Sequence, residues 1–122
     1  MKTARDPRHK RRRETIFELF SESFTHQANL SDFAKRILLK KKEIDLLIEK
    51  SAPAWPVNKL NKIDLAILRM SVFELFFTKT PPKVVIDEGV EIGKELGGES
   101  SSSFINGVLG TIYKDQRKNE NG

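Results

Sequence analysis

The chain has 122 residues, a net charge of +5 and no cysteine, which fits one small domain and excludes disulfides, thiolate zinc sites and cysteine nucleophiles. Its two histidines, His9 and His26, lie in unlike surroundings, so no histidine metal cluster is expected. No apolar run reaches the roughly 18 residues that a membrane span needs, and acidic residues interrupt the only stretch that resembles a leader. We therefore expect a cytoplasmic protein without a membrane segment.

The positive charge is concentrated at the N-terminus. The first thirteen residues contain seven of the 22 lysines and arginines and a single acid, Asp6, so this segment carries +6 while the rest of the chain carries −1. The seven basic residues are Lys2, Arg5, Arg8, Lys10, Arg11, Arg12 and Arg13. A polyanion would meet this end first, which makes the segment a candidate nucleic-acid-binding arm. A solvated or disordered tail is the alternative.

The first predicted helix begins within this basic segment. Asp6 is a suitable N-cap, and the proline after it fits the first helical position. Arg8, Arg11 and Arg12 then follow the spacing i, i+3 and i+4, which predicts one shared helical face able to follow a phosphate backbone. His9 beside them can stack on a base, as can arginine, so single-stranded RNA is the favoured ligand.

Two further helical regions are predicted in the middle of the chain. Apolar residues recur at helical spacing over residues 30–48, and the lysine triplet 40–42 marks a break between two short helices. The proline-rich segment 51–56 ends this pattern. The next helix is predicted over residues 59–77, with Asn58 as its cap. It is apolar on nearly every side and is therefore expected to be the central helix of the bundle.

Charged residues on this central helix need an explanation. Asp64, Arg69 and Glu74 lie on a helix that is expected to be mostly buried. Because a buried charge requires a partner, they indicate either internal ion pairs or a groove that faces a binding partner. The sequence leaves both alternatives open.

Two helices are predicted in the C-terminal part. One follows the prolines at 81 and 82 and ends at the glycines 97 and 98, and the serines 100–103 offer N-caps for the other. The polar segment 114–122 is expected to fray. Small residues one turn apart occur at positions 89 and 93 and at positions 107 and 110. They predict close helix packing, with close approach of a ligand as the alternative.

No catalytic constellation is present in the sequence. A phosphate-binding P-loop, a nucleophile elbow and a zinc-protease motif are all missing, and the acids are spread along amphipathic helices. We therefore expect no enzyme activity, no cofactor and no metal site.

Several segments resemble the transcription antitermination family NusB. The likeness rests on residues 52–56 (APAWP), residues 65–75 (LAILR continuing to FEL), residues 82–88 (PKVVIDE) and residues 104–109 (FINGVL), in the order of the family. The N-terminal run Arg8-His9-Lys10 with Arg12, ahead of Phe20, resembles the arginine-rich opening of that family. Together these segments cover most of the chain, so their combination is more specific than any one of them.

The resemblance implies an all-α fold of two small helical bundles without catalysis. Residues 1–50 would form the N-terminal subdomain with the basic arm, residues 51–115 the C-terminal subdomain, and residues 116–122 a frayed tail. It further implies binding of the single-stranded box A element of nascent ribosomal RNA transcripts, together with NusE, a small-ribosomal-subunit protein, within the transcribing RNA polymerase complex.

The resemblance also implies which residues bind. The expected RNA contacts are Arg5, Arg8, His9, Lys10, Arg11, Arg12, Arg13, Gly110 and Tyr113. The expected NusE contacts are Phe20, Arg69, Phe73 and Glu74, and Glu74 corresponds to the acidic residue that faces NusE in the family.

The chain departs from the family pattern at two places. Gly110 stands where family members often have an acid, which leaves the role of this position open. The interval between the first helix and Phe33 is short, which implies a trimmed N-terminal bundle and makes a homodimer one way to cover exposed apolar surface. A helical protein–protein interaction module without direct RNA binding is the alternative function.

Overall fold

The computed structural model describes the backbone of residues 6–121 and the side chains of residues 6–118. Within this part of the chain there are six α-helices, a short 3-10 turn and no β-strand, which confirms the expected all-α fold. The helices are α1 (Pro7–Glu22), α2 (Asp32–Leu39), α3 (Lys41–Ser51), α4 (Lys62–Phe77), α5 (Pro82–Gly97) and α6 (Glu99–Asn121), and the 3-10 turn spans Val57–Lys59. None of the described helices combines the length and the apolar character that a membrane crossing requires.

Helix α4 occupies the centre of the bundle, as its apolar sequence predicts. It packs against each of the other five helices, and nearly all of its side chains are buried. The predicted cap at Asn58 is wrong, because this residue lies in the 3-10 turn. Asn61 caps the helix instead, and its Oδ1 accepts hydrogen bonds from the backbone N–H groups of Ile63 at 2.8 Å and Asp64 at 3.3 Å.

The break predicted at the lysine triplet is confirmed. Lys40 leaves helical geometry, with φ −104° and ψ 11°, and separates α2 from α3. The loop that precedes α2 is fixed to α1 by Glu18, whose carboxylate accepts hydrogen bonds from the N–H of Ser31 at 2.6 Å and from its Oγ at 2.7 Å. Ser31 in turn caps α2 through the N–H of Ala34 at 3.2 Å.

Glycines bring α5 close to its neighbours. A Cβ atom at Gly89 would lie 2.9 Å from Oγ of Ser71, and one at Gly93 would lie 2.7 Å from Cδ1 of Ile105. Close packing at these two positions is therefore confirmed. At Gly107 and Gly110 a Cβ would meet nothing within 4 Å, so the close packing predicted for this second pair is wrong.

One buried cluster draws on both halves of the chain. It includes Ile16 of α1, Ile37 of α2, Ile44 of α3 and residues of α4 to α6. The predicted subdomain boundary after residue 50 falls in the last turn of α3, and the division into two subdomains stays a prediction. Helix α6 continues to Asn121, and the fraying of the C-terminal segment stays a prediction.

Candidate nucleic-acid interface

Asp6 and Arg8 fix the start of α1. The Asp6 carboxylate accepts hydrogen bonds from the Arg8 backbone N–H at 2.9 Å, from its Nε at 3.3 Å and from its Nη2 at 3.2 Å. The hydrogen bonds from the Arg8 side chain and backbone lower the pKa of Asp6 below its usual value, so the cap is an anion at neutral pH. Arg8 itself remains 78% exposed at its side chain and is available to a ligand.

Arg12, in contrast, points into the protein. Its guanidinium donates from Nε and Nη2 to the two carboxylate oxygens of Glu74, at 2.8 and 2.9 Å, and from Nη1 to Glu88 at 2.9 Å. All three side chains are buried. The hydrogen bonds that Arg12 donates to Glu74 and the charges of both acids raise the pKa of Arg12 and outweigh the effect of burial. The three charges therefore form an internal network that joins α1 to α4 and α5.

His9 extends this network along α5. Its Nδ1 lies 2.9 Å from Oε2 of Glu88, and its Nε2 lies 3.1 Å from Oε1 of Glu95. Because a neutral imidazole carries one N–H, both contacts are hydrogen bonds only when the ring holds two protons. Burial alone would lower the pKa of His9, but the hydrogen bond to Glu88 and the charges of Glu88 and Glu95 outweigh it and raise that pKa above 6.5.

The prediction that Arg8, Arg11 and Arg12 share one exposed helical face is therefore wrong for Arg12. Arg8, Lys10 and Arg11 are exposed, whereas Arg12 and His9 are buried and bonded to acids inside the protein. Helical phase explains the difference, since His9 and Arg12 lie on the same stripe as the buried residues 16 and 19. The spacing of this stripe can be read from the sequence, and the Glu74 charge on the mostly apolar α4 was the signal for a buried cationic partner.

The remaining basic residues differ in their surroundings. Arg13 is half-buried, and its Nε lies 3.3 Å from Oε2 of Glu95. The guanidinium carbon of Arg11 lies 5.1 Å from the centre of the Phe33 ring on α2, a cation–π contact that orients an exposed cation. Arg5 lies outside the described residues. Arg8, Lys10 and Arg11 thus stay exposed on the first two turns of α1. Arg8 and Arg11, three residues apart, share one side of the helix and form a basic edge.

The expected NusE contacts are mostly internal. Glu74 is paired with Arg12, Phe73 is buried between aromatic rings, and Arg69 donates from Nε and Nη2 to Asp45, both at 2.9 Å. Arg69 and Glu74 thus both take part in internal ion pairs. A direct contact with NusE would require these pairs to open, whereas the half-buried Phe20 is partly accessible. The role of this set stays a prediction.

Gly110 and Tyr113 lie on α6, where both are partly exposed. The Arg117 guanidinium lies 5.8 Å from the centre of the Tyr113 ring and adds a cation to this surface. No described hydrogen bond, ion pair or ring contact connects either residue to α1. The structure therefore does not join this surface to the basic edge, and its contact with RNA stays a prediction.

One group of side chains has the composition of a metal site. His9, Glu88 and Glu91 each bring a ligand atom within 4.8 Å of the others, and among the described residues they are the set that could hold a metal ion. Arg12 already donates to Glu88 and would repel a metal cation, and both ring nitrogens of His9 already contact carboxylates, those of Glu88 and Glu95. The ion pairs account for the geometry of this group.

Comparison with known proteins gives a consistent result. Residues 10–114 match the NusB family. The transcription antitermination protein NusB of Chloroflexus aggregans is 45% identical over 92 residues, which cover 70% of this chain and 61% of that protein. The corresponding protein of Herpetosiphon aurantiacus is 36% identical over 115 residues, covering 88% and 79%. The chain thus spans less than two thirds of the first relative but more of the second.

Two solved structures share the fold. T. maritima NusB superposes with a TM-score of 0.80 at 30% identity, and the match covers 93% of each chain. A chain in the crystal structure of a plectonemic RNA supercoil gives a TM-score of 0.80 at 24% identity, covering 89% of this chain and 95% of that one. The second likeness concerns the fold alone.

Proposed function

The chain belongs to the NusB family, and we propose that it is an RNA-binding transcription antitermination factor rather than an enzyme. Its ligand is the box A element of nascent ribosomal RNA transcripts, which it binds together with NusE in the transcribing RNA polymerase complex of the cytoplasm. The relatives in Chloroflexus aggregans and Herpetosiphon aurantiacus, both named transcription antitermination protein NusB, support this proposal.

The observation that carries the proposal is that the basic segment contains two groups of side chains, one buried and one exposed. Arg12 and His9 fasten α1 to the core, while Arg8, Lys10 and Arg11 stay exposed on the same two turns. Because the helix is held on α4 and α5, the exposed cations keep a defined spacing instead of forming a loose tail. Such an edge can contact successive phosphates, which positions an RNA without recognising its sequence.

A neighbouring aromatic edge is the proposed place for the protein partner. Phe17 and Phe24 are exposed large apolar side chains of this region, and the ring of Phe20 lies 5.0 Å from that of Phe24 in an edge-on contact. Aromatic side chains are enriched where proteins associate. We place the NusE contact here. The same edge supports the second candidate function, a protein-binding module without direct RNA contact.

The RNA function is tested by removing exposed charge only. The variant Arg8→Ala plus Arg11→Ala is titrated with fluorescent box A RNA at two salt concentrations, beside the control Lys41→Ala plus Lys42→Ala. The control removes the same charge from exposed positions on α3. We expect only the first variant to lose affinity and to reduce the salt dependence, by about 0.7 per lost phosphate contact in single-stranded RNA. Equal behaviour of the two variants would reject the role of the basic edge.

Arg12 is unsuitable for this test. Its removal would leave Glu74 and Glu88 as buried acids with one partner fewer, so lost RNA binding would reflect unfolding.

The protein partner is tested by repeating the titration with NusE. In Phe24→Ala we expect NusE to raise RNA affinity less than in the wild type, while the control Leu39→Ala, also an exposed apolar side chain, keeps the full effect. NusE binding without any RNA binding would favour the second candidate function.

A further inference from the structure

A groove lies beside the exposed arginines. It has a volume of 710 Å³ and runs between the N-terminal turns of α1 and the segment that joins α4 to α5. Ligand sites in proteins typically have volumes of about 300–1,000 Å³, so the groove has room for a small ligand or one unit of a polymer. The residues that matter for its chemistry are Arg8, Arg11, Lys79, Pro81, Val84 and Asp87.

The charged side chains on the inner wall of the groove are paired with one another. Arg12, Glu74 and Glu88 line it, but they are occupied by the hydrogen bonds that join them to one another. Lys79 and Asp87 are exposed, and none of the described hydrogen bonds or ion pairs uses them. With Arg11, they are the charged side chains of the groove that no described hydrogen bond or ion pair engages. The groove thus offers two free cations from different elements and one free hydrogen-bond acceptor.

The outer part of the groove offers surfaces for a flat, apolar group. Val84 is 37% exposed and lies close in sequence to the exposed Pro81. The guanidinium of Arg8 also lines the groove, where two hydrogen bonds from its side chain to Asp6 hold it in place. A held guanidinium plane can stack on a nucleobase, and apolar side chains can cover the other face.

We propose that this groove holds one unstacked nucleotide of the bound single-stranded RNA. Its phosphate lies between Arg11 and Lys79, and its base lies against Val84 and donates an exocyclic amino hydrogen to Asp87. This inference rests on the proposed RNA-binding function and extends the RNA site from α1 to α5. It also gives the site a means to recognise a base, which phosphate contacts alone cannot do.

The acceptor predicts which bases fit. Aspartate accepts hydrogen bonds from exocyclic amino groups such as N4 of cytosine, and adenine presents a comparable group. Uracil presents a carbonyl oxygen at the position of that amino group, which the Asp87 carboxylate would repel. Guanine carries an exocyclic amino group as well, so the nucleotide in the groove is expected to be cytosine, adenine or guanine in preference to uracil.

The experiment removes one base at a time from the RNA. Box A RNAs that each lack a single base are titrated with the wild-type protein and with Val84→Asp, which places a charge on the apolar wall. The first turn of a helix tolerates an acid, and Val84 is partly exposed, so the variant should remain folded. In the wild type we expect the loss of one particular base to weaken binding about tenfold, within the range measured for a stacked base. In Val84→Asp the same loss should have no effect.

Two further variants test the charged contacts. Lys79→Ala should reduce the salt dependence by about 0.7, whereas the matched control Lys42→Ala, exposed on α3, should not. Asp87→Asn should remove the preference for cytosine, adenine or guanine over uracil at the sensitive position.

The possible outcomes separate this inference from the proposed function. If the wild type binds no RNA, both fail. If it binds RNA but no single base matters, or if the sensitive base matters equally in Val84→Asp, only the groove proposal fails. If Val84→Asp weakens NusE binding and leaves RNA binding unchanged, the groove is a protein contact and the nucleotide assignment is overturned.

Discussion

Arg12 donates two parallel hydrogen bonds to Glu74, from Nε to Oε1 at 2.8 Å and from Nη2 to Oε2 at 2.9 Å, and so joins the basic helix to the central helix. A third bond, from Nη1 to Glu88 at 2.9 Å, adds α5 to the same junction. Because a guanidinium pairs with a carboxylate in one planar geometry, this arrangement fixes the orientation of α1. The orientation in turn determines which basic side chains remain outside.

Removal of this junction is expected to destabilise the fold. Arg12→Ala leaves two buried carboxylates with one partner fewer, and loss of one member of a buried ion pair typically costs about 3–5 kcal/mol. Urea unfolding followed by circular dichroism measures the free energy of unfolding. The exposed Lys10→Ala on the same helix is the control and should change it by less than about 0.5 kcal/mol. Similar values for the two variants would show that the junction contributes little.

The stability of the protein should depend on the protonation of His9. Burial lowers the pKa of His9, but the hydrogen bond to Glu88 and the charge of Glu88 outweigh burial, so the pKa is raised in the folded state. Folding therefore favours the protonated ring. This contribution is fully present below the unfolded pKa of about 6.5 and is lost as the pH rises through the higher folded pKa. We therefore expect the free energy of unfolding to fall between about pH 6.5 and the raised pKa.

The measurement is a series of urea unfolding curves from pH 6 to pH 9. His9→Gln should flatten the pH dependence, because glutamine does not titrate. His26→Gln serves as the control, since His26 is exposed and its ion pair among the described residues is with the neighbouring Glu22, at 3.4 Å. A pH dependence that persists unchanged in His9→Gln would assign the effect to another group.

Two glycine substitutions with opposite expected effects test the packing of α5 and α6. In Gly93→Ala the new Cβ would lie 2.7 Å from Cδ1 of the buried Ile105. We expect this overpacking, at about 1–3 kcal/mol, to exceed the helix-propensity gain of about 1 kcal/mol and to destabilise the fold. In Gly107→Ala the methyl group meets open space on a helix, and we expect a gain of up to about 1 kcal/mol. Thermal and urea unfolding of both variants provide the comparison. Stabilisation by both would show that α5 and α6 are further apart.

The sequence was sufficient to predict the helical architecture, but not to predict which charged side chains point into the protein. The apolar pattern of α4 predicts its central place, since a helix without a polar side must be surrounded. The inward direction of Arg12 depends on acids 62 and 76 residues away, which only the packing of helices brings together. Spacing relates Arg12 equally well to Arg8 and to the buried Ile16, and the partners decide between the two faces.

Packing also explains why Asn61 caps α4. Asn58 and Asn61 are equally good caps by residue type, and the sequence cannot choose between them. The 3-10 turn Val57–Lys59 occupies the first of the two, and its N-terminal N–H, from Val57, donates to Glu49 of α3 at 3.2 Å. This contact across the chain moves the start of α4 by one turn.

Gly110 offers a test of the predicted RNA surface on α6. Because a Cβ at this position meets nothing within 4 Å, both Gly110→Ala and Gly110→Glu should fold, and alanine should raise stability by up to about 1 kcal/mol. If RNA passes this surface, the glutamate should weaken box A binding by repulsion of the phosphates, more strongly at low salt than at high salt. Alanine controls for the change in helix stability and should leave the affinity unchanged. Equal affinities for glutamate and alanine at low salt would place the RNA away from Gly110 and confine its contacts to the α1 edge and the groove beside it.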